Sequence, residues 1–197
     1  EKGFIKGRYT IFGKNPDKIW EFNNNNCVLN FENKRKKLRG TPKDNIEKII
    51  ENFNFKIPSE LPPISSIISG YFSYDTIRYI EKIPNTTKND LKIPDARILR
   101  PKNLVVFDNV KKKLFFIVNC FFDEKIKNYQ AKYDQIQKEI EEMIFLANYN
   151  YKINQSETKI SKIKIKSNIS KKKFLSNVSK AKNYIKIGDI FQVVLSQ

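Results

Sequence analysis

ARILRPKNLVVFDNVKKKLFFIVNCF, Ala96 to Phe121, sets two apolar runs on either side of Asp108-Asn109 and the lysines Lys111 to Lys113. A short polar break between two β-prone runs predicts a β-hairpin, and so an antiparallel sheet. Upstream, GRYTIFG (Gly7 to Gly13) alternates and is rich in β-branched and aromatic residues, which predicts a strand. DKIWEF (Asp17 to Phe22) and CVLNFE (Cys27 to Glu32) predict two more, joined across the Asn tract as a second hairpin. SSIISGYFSYD predicts a buried strand over Ser65 to Tyr74, and DTIRYIEKI a short helix ended by Pro84.

Helical signals lie between and after these strands. In TPKDNIEKIIENF, Thr41 suits an N-cap and Pro42 the first helical position, while Ile46, Ile49, Ile50 and Phe53 form an apolar stripe. From Glu124 to Ala147 the apolar residues Ile126, Tyr129, Tyr133, Ile136, Ile140, Met143 and Ile144 recur at spacings of three and four. TKISKIKIKSN alternates lysine with β-branched residues, as an edge strand does. Ser170 then caps a helix whose face carries Phe174, Val178, Ala181 and Ile185, with Gly188 where a helix end favours a left-handed residue. Ile190 to Leu195 predicts a final strand. Strands and helices mix without a βαβ rhythm. The fold class is therefore α+β, with mixed, largely antiparallel sheets and packed helices. The boundaries read as a domain over 1–150, a linker or edge strand over 151–166, and the start of a further domain at 167–197.

Composition narrows the chemistry. Of 197 residues, 40% are hydrophobic, enough for a packed core. With no histidine in the chain, a Ser-His-Asp or Cys-His mechanism is excluded. Cys27 and Cys120 lack any CxxC spacing and read as reduced thiols of a cytosolic protein. The net charge of +17 is mostly lysine, spread over many segments with abundant Asn and Ile, which marks a drift towards AT-rich codons. Runs such as Lys34–Lys37 and Lys171–Lys173 read as solvated faces, so no nucleic-acid partner is expected, while attraction to anionic small molecules remains. No apolar run nears the roughly 20 residues that span a bilayer, and no membrane partner is expected. The start, Glu1-Lys2-Gly3-Phe4, lacks Met and a signal-peptide core, and the chain is expected to continue at both ends.

Several segments in order resemble the anthranilate synthase component I branch of the chorismate-utilising enzyme family. GRYTIFG (7–13) is similar to its GRYS-type strand, and GYFSYD (70–75) to its GYxGYD segment, with Ser73 where Gly is usual. IEKIP (80–84), IPDA (93–96) and VVFDNVKKKL (105–114) follow in the family's order, with Asn109 where His is common. SNISKKKFLSNVSKAKNYIKIGDIFQVVLSQ (167–197) resembles the family's entry into its chorismate-binding catalytic domain.

The resemblance implies a regulatory N-terminal domain over 1–150 followed by the first catalytic elements. It implies a lyase that converts chorismate and glutamine-derived ammonia to anthranilate and pyruvate in tryptophan biosynthesis. The cofactor implied is Mg²⁺, with its ligands in a C-terminal region beyond this fragment and none within it. A glutamine amidotransferase subunit is the implied protein partner, L-tryptophan the implied feedback inhibitor, and the cytoplasm the implied location. The fragment alone is expected to be inactive. Gln192 is the candidate catalytic residue. Water-using members resemble KVVLAR here, where a lysine of lowered pKa can activate water; an amide cannot, but suffices for ammonia, already a nucleophile. Arg8 and Tyr9 are expected to flank the inhibitor pocket. The alternatives are an aminodeoxychorismate synthase component I and a standalone amino-acid-binding or interaction module.

Overall fold

The computed structural model describes residues 7–54, 56–86, 89, 91–121, 128–150 and 166–196. The chain divides into two compact units, Glu1–Asn150 and Tyr151–Gln197.

The spine of the first unit is the first arm of the hairpin read above. Strands β1 (Tyr9–Asn23), β2 (Asn26–Phe31), β3 (Lys34–Leu38), β4 (Ser69–Phe72), β5 (Ala96–Asp108) and β6 (Lys113–Val118) form an all-antiparallel sheet in the order β3-β2-β1-β5-β4, with β6 also on β5. One edge of β5 pairs with β1 along its whole length. The other is shared: Ala96–Leu99 pair with β4 and Asn103–Asp108 with β6. Alternation along these strands puts Trp20, Phe22, Cys27, Ala96 and Ile98 into one buried cluster with Ile49 of helix α1 (Pro42–Glu51). Leu104, Val106 and Ile117 form a second cluster towards the other end of β5.

Two segments read as separate strands are one. β1 runs through Asn15-Pro16-Asp17, where Pro16 pairs with Pro101 and Lys18 with Arg100, leaving Asp17 as an extra residue in the ladder. A bulge of this kind accommodates proline, whose missing N–H would break a regular ladder. Asn15 takes φ 51°, a left-handed value that asparagine tolerates. The strand expected over Ser65 to Tyr74 shrinks to Ser69–Phe72, and each of its residues is exposed rather than buried. Ser65 N–H donates to Pro62 O at 3.0 Å in a turn, so the buried part of the run is not strand. The short helix expected next is a 3-10 turn over Tyr74–Tyr79.

Helix α1 begins with a capping box. Thr41 Oγ1 accepts from Asp44 N–H at 3.2 Å, and Asp44 Oδ2 accepts from Thr41 N–H at 3.0 Å. Helix α2 (Tyr129–Asn148) packs against β6, and Lys102 Nζ donates to Glu139 Oε1 at 2.7 Å. Burial pushes the Glu139 carboxyl up, but Lys102, Asn103 and Gln135 outweigh it and hold the group below its ordinary value. The part of the expected helix before Asn128, at 124–127, lies outside the described residues.

The second unit contains helix α3 (Lys171–Lys186), with Ser170 Oγ accepting from Lys173 N–H at 3.3 Å. Gly188 (φ 86°) closes it: Gly188 N–H donates to Ile185 O at 3.2 Å and Asp189 N–H to Tyr184 O at 3.0 Å. This pair of bonds is the Schellman closure that a left-handed glycine permits. The final strand is absent: Phe191 to Ser196 have no regular structure, and Phe191 is 93% exposed. β-propensity alone makes no strand, and this run has no pairing partner among the described residues. The expected edge strand lies largely in 151–165, outside the described residues. Among the described residues no helix is long and apolar enough to cross a membrane.

Candidate functional site

The segments that carry the resemblance meet at two places in the first unit. At the start of β1, Arg8 Nη2 donates to Asp108 Oδ2 at 2.8 Å and Arg8 Nε to Asp108 Oδ1 at 3.2 Å. The same carboxylate accepts from the backbone N–H groups of Val110 (2.9 Å) and Lys111 (3.0 Å), closing the β5–β6 turn. The Arg8 guanidinium first, then these two amides, hold the Asp108 carboxyl well below the usual carboxylate range. Asn109 N–H donates to Arg8 O at 2.8 Å and its side-chain amide to Thr10 Oγ1 at 3.1 Å. Arg8 also lies 4.9 Å from the Tyr9 ring centre. Arg8 and Tyr9 therefore do come together, in a corner whose charge is already matched by Asp108. Sequence reading missed that partner, although VVFD ends the strand that β1 must pair with.

The second meeting place joins GYFSYD, IEKIP and IPDA. Ser73 N–H donates to Asp95 O (2.7 Å) and Asp95 N–H to Phe22 O (2.8 Å). Asp95 Oδ2 accepts from Asn24 N–H at 2.6 Å and from the Tyr79 hydroxyl at 3.0 Å. Burial, then the Asp95 charge, pushes the Tyr79 phenol well above its ordinary value. Arg78 donates to Asp75 Oδ1 at 2.9 Å and to the carbonyls of Ile83 (2.9 Å) and Pro84 (2.7 Å). Ser73 sits at φ −74°, so serine in place of the usual glycine brings no backbone strain. These contacts fix the chain path around β4; they hold backbone rather than present a reactive group.

A cavity of about 420 Å³ lies between α1 and the sheet face bearing Trp20. Lys18, Trp20, Leu29, Leu38, Ile68 and Arg100 line it from the sheet side, and Asn45, Lys48, Ile49, Asn52 and Phe53 from the helix and its end. No sequence motif signalled it, because it forms from residues scattered over β1, β2, β3, α1 and β5. Gln192 lies in the second unit, exposed, within the unpaired run after Gly188. Among the described residues no group of three or more His, Cys, Asp or Glu could hold a metal ion.

The profile of the chorismate binding enzyme family matches residues 8–197. The chain belongs to the chorismate binding enzyme family. Within it, the chain is 34% identical over 202 residues to anthranilate synthase component 1 of Acetivibrio thermocellus, covering 100% of this chain and 41% of that protein. It is 29% identical over 201 residues to the protein of the same name from Cereibacter sphaeroides, covering 99% and 40%. The fold is similar to the crystal structure of anthranilate synthase component I from Streptococcus pneumoniae TIGR4, with TM-score 0.73, 22% identity, and 95% of this chain against 40% of that one. The chain thus spans about 40% of the length of these chorismate binding enzyme relatives.

Proposed function

We propose that the protein to which this chain contributes is an anthranilate synthase component I, a lyase that joins ammonia to chorismate and releases anthranilate, pyruvate and water, for tryptophan biosynthesis. The observation that carries this reading is the match to anthranilate synthase component 1 over the whole of this chain. GDIFQVVLSQ, with Gln192 as the amide in place of a water-activating lysine, supports ammonia as the nucleophile. Ammonia would come from a glutamine amidotransferase, as a separate subunit or a fused domain. Tryptophan is the proposed feedback inhibitor, with Arg8 and Tyr9 flanking its pocket, and the cytoplasm the proposed location.

Mg²⁺ is the proposed cofactor of the whole protein, but the described residues do not fit a Mg²⁺ site, having no suitable carboxylate cluster. Its ligands would come from the part of the relatives' length that this chain does not span. On the same ground this chain alone should leave chorismate unchanged.

Genetic rescue tests the reading. The complete product of the gene that encodes this chain should restore growth of a bacterium that requires tryptophan because it lacks component I, and this chain alone should not. Rescue of a 4-aminobenzoate-requiring strain instead would point to aminodeoxychorismate synthase and overturn the proposal.

A further inference from the structure

We infer that the free edge of β3 takes up an extended acidic segment of a partner protein as an added strand. Strand addition needs main-chain donors and acceptors left open at a sheet edge, and side chains beside them that select the partner. β3 supplies both. It ends the sheet, pairing with β2 alone among the described residues. Glu32 and Asn33 make a two-residue turn, so Phe31 and Lys34 close the hairpin as a pair that exchanges both backbone bonds. Bonded and non-bonded pairs then alternate, and Leu29–Lys36 is the next bonded one. Arg35 and Lys37, opposite Asn30 and Val28, therefore turn their N–H and C=O groups outwards to the edge.

The same two residues carry the charge. Strand alternation puts Lys34, Lys36 and Leu38 on one face and Arg35 and Lys37 on the other. Leu38 packs on the core cluster of Trp20 and Ile49, so Arg35 and Lys37 stand on the face away from α1. Both are exposed, and among the described residues neither is in an ion pair. Glu21, on the same face, is already engaged by Arg97 at 3.4 Å and by the Asn30 amide at 3.3 Å. Arg35 also lines a cavity of about 560 Å³ with Ile19, Asn30 and Phe31, and Ile19, Asn30 and Arg35 are successive cross-strand partners. The other charges described in that lining are matched: Asp17 by Arg100, Glu32 by Lys34, and Lys102 by Glu139. Arg35 is thus left for a carboxylate, and Ile19 and Phe31 for an apolar side chain beside it. Arg35 and Lys37 lie roughly 7 Å apart at about 3.3 Å per residue, the spacing of alternate residues on one face of an added strand. A second copy of this chain is refused by the same charges, since β3 against β3 would set cation opposite cation.

This inference does not depend on the proposed activity, and its test requires no turnover. The probe is a fluorescent octapeptide that alternates Glu with Val, titrated at about 150 mM salt into this chain and into the complete gene product and followed by anisotropy. Both proteins should bind it saturably. A peptide with Lys in place of Glu should not bind. The Glu peptide N-methylated at alternate residues keeps its charge but loses main-chain donors, and should bind at least tenfold more weakly. Arg35→Glu and Lys37→Glu should each weaken the Glu peptide roughly tenfold with an unchanged circular dichroism spectrum, whereas Lys36→Glu, the same change on the opposite face, should weaken it no more than about twofold. Any of five results would overturn the inference: no saturable binding, equal binding of the N-methylated peptide, an equal loss in Lys36→Glu, tighter binding of single-stranded oligothymidylate than of the Glu peptide, or binding by this chain that the complete gene product lacks.

Discussion

At the scale of single residues, Asp108 ties β1 to the β5–β6 turn. Its side chain is 2% exposed and serves Arg8 and two backbone amides together. Because its folded-state pKa lies below the unfolded value of about 3.9, its contribution is complete above that pH. The contribution is lost as pH falls through the folded-state value. Thermal unfolding followed from about pH 5 to about pH 2 should show this acid sensitivity, and Asp108→Asn should be less stable at neutral pH with a flatter acid dependence. An unchanged acid profile in the variant would mean that other carboxylates govern it. Gly70 tests a different force. A Cβ there would lie 2.0 Å from Arg97 O and 2.9 Å from Ile98 Cα, both backbone, so β4 cannot approach β5 with any larger residue. Gly70→Ala should cost about 3 kcal/mol in denaturant unfolding, the upper end for overpacking. A loss below about 0.5 kcal/mol, typical of surface changes, would show that β4 can shift aside freely.

At the scale of elements, local signals were legible where chemistry and conformation coincide. Thr41-Pro42 and the Ser170 cap marked the starts of α1 and α3, and Gly188 marked an end, because caps are written in adjacent residues. Thr41→Ala should therefore lower stability by about 1 kcal/mol, measured by chemical denaturation. Pairing was less legible. β3 went unread because Glu32 and Asn33, at φ 46° and 60°, make the tight turn without the glycine that usually signals it. The lysines of β3 looked only like a solvated face, and they are exposed, yet they are also an edge strand. β1 looked like two strands because a bulge around Pro16 interrupts the alternation without ending the ladder. Ile190 to Leu195 has the composition of a strand but no partner among the described residues. Its amide hydrogens should exchange within the dead time of a hydrogen-exchange experiment, while those of Leu104 and Val106 in β5 stay protected. Protection over 190–195 would contradict the irregular, unpaired run found among the described residues.

At the scale of the whole molecule, the family was legible because its motifs are spread along the chain in order, although GYFSYD, IPDA and VVFD mainly hold backbone together. The Arg8–Asp108 pair and the cavity beneath α1 were not legible, since both depend on residues brought together only by the sheet. Ammonia as nucleophile and anthranilate as product form the core of the proposed activity. It is tested most directly by giving the complete gene product chorismate and Mg²⁺, with and without ammonium, and separating the products by chromatography with fluorescence detection. Anthranilate that forms only with ammonium, and that falls in the Gln192→Lys variant, is the predicted result. Isochorismate or salicylate formed without ammonium by the unaltered protein, or an amino-chorismate that accumulates without release of pyruvate, would contradict it.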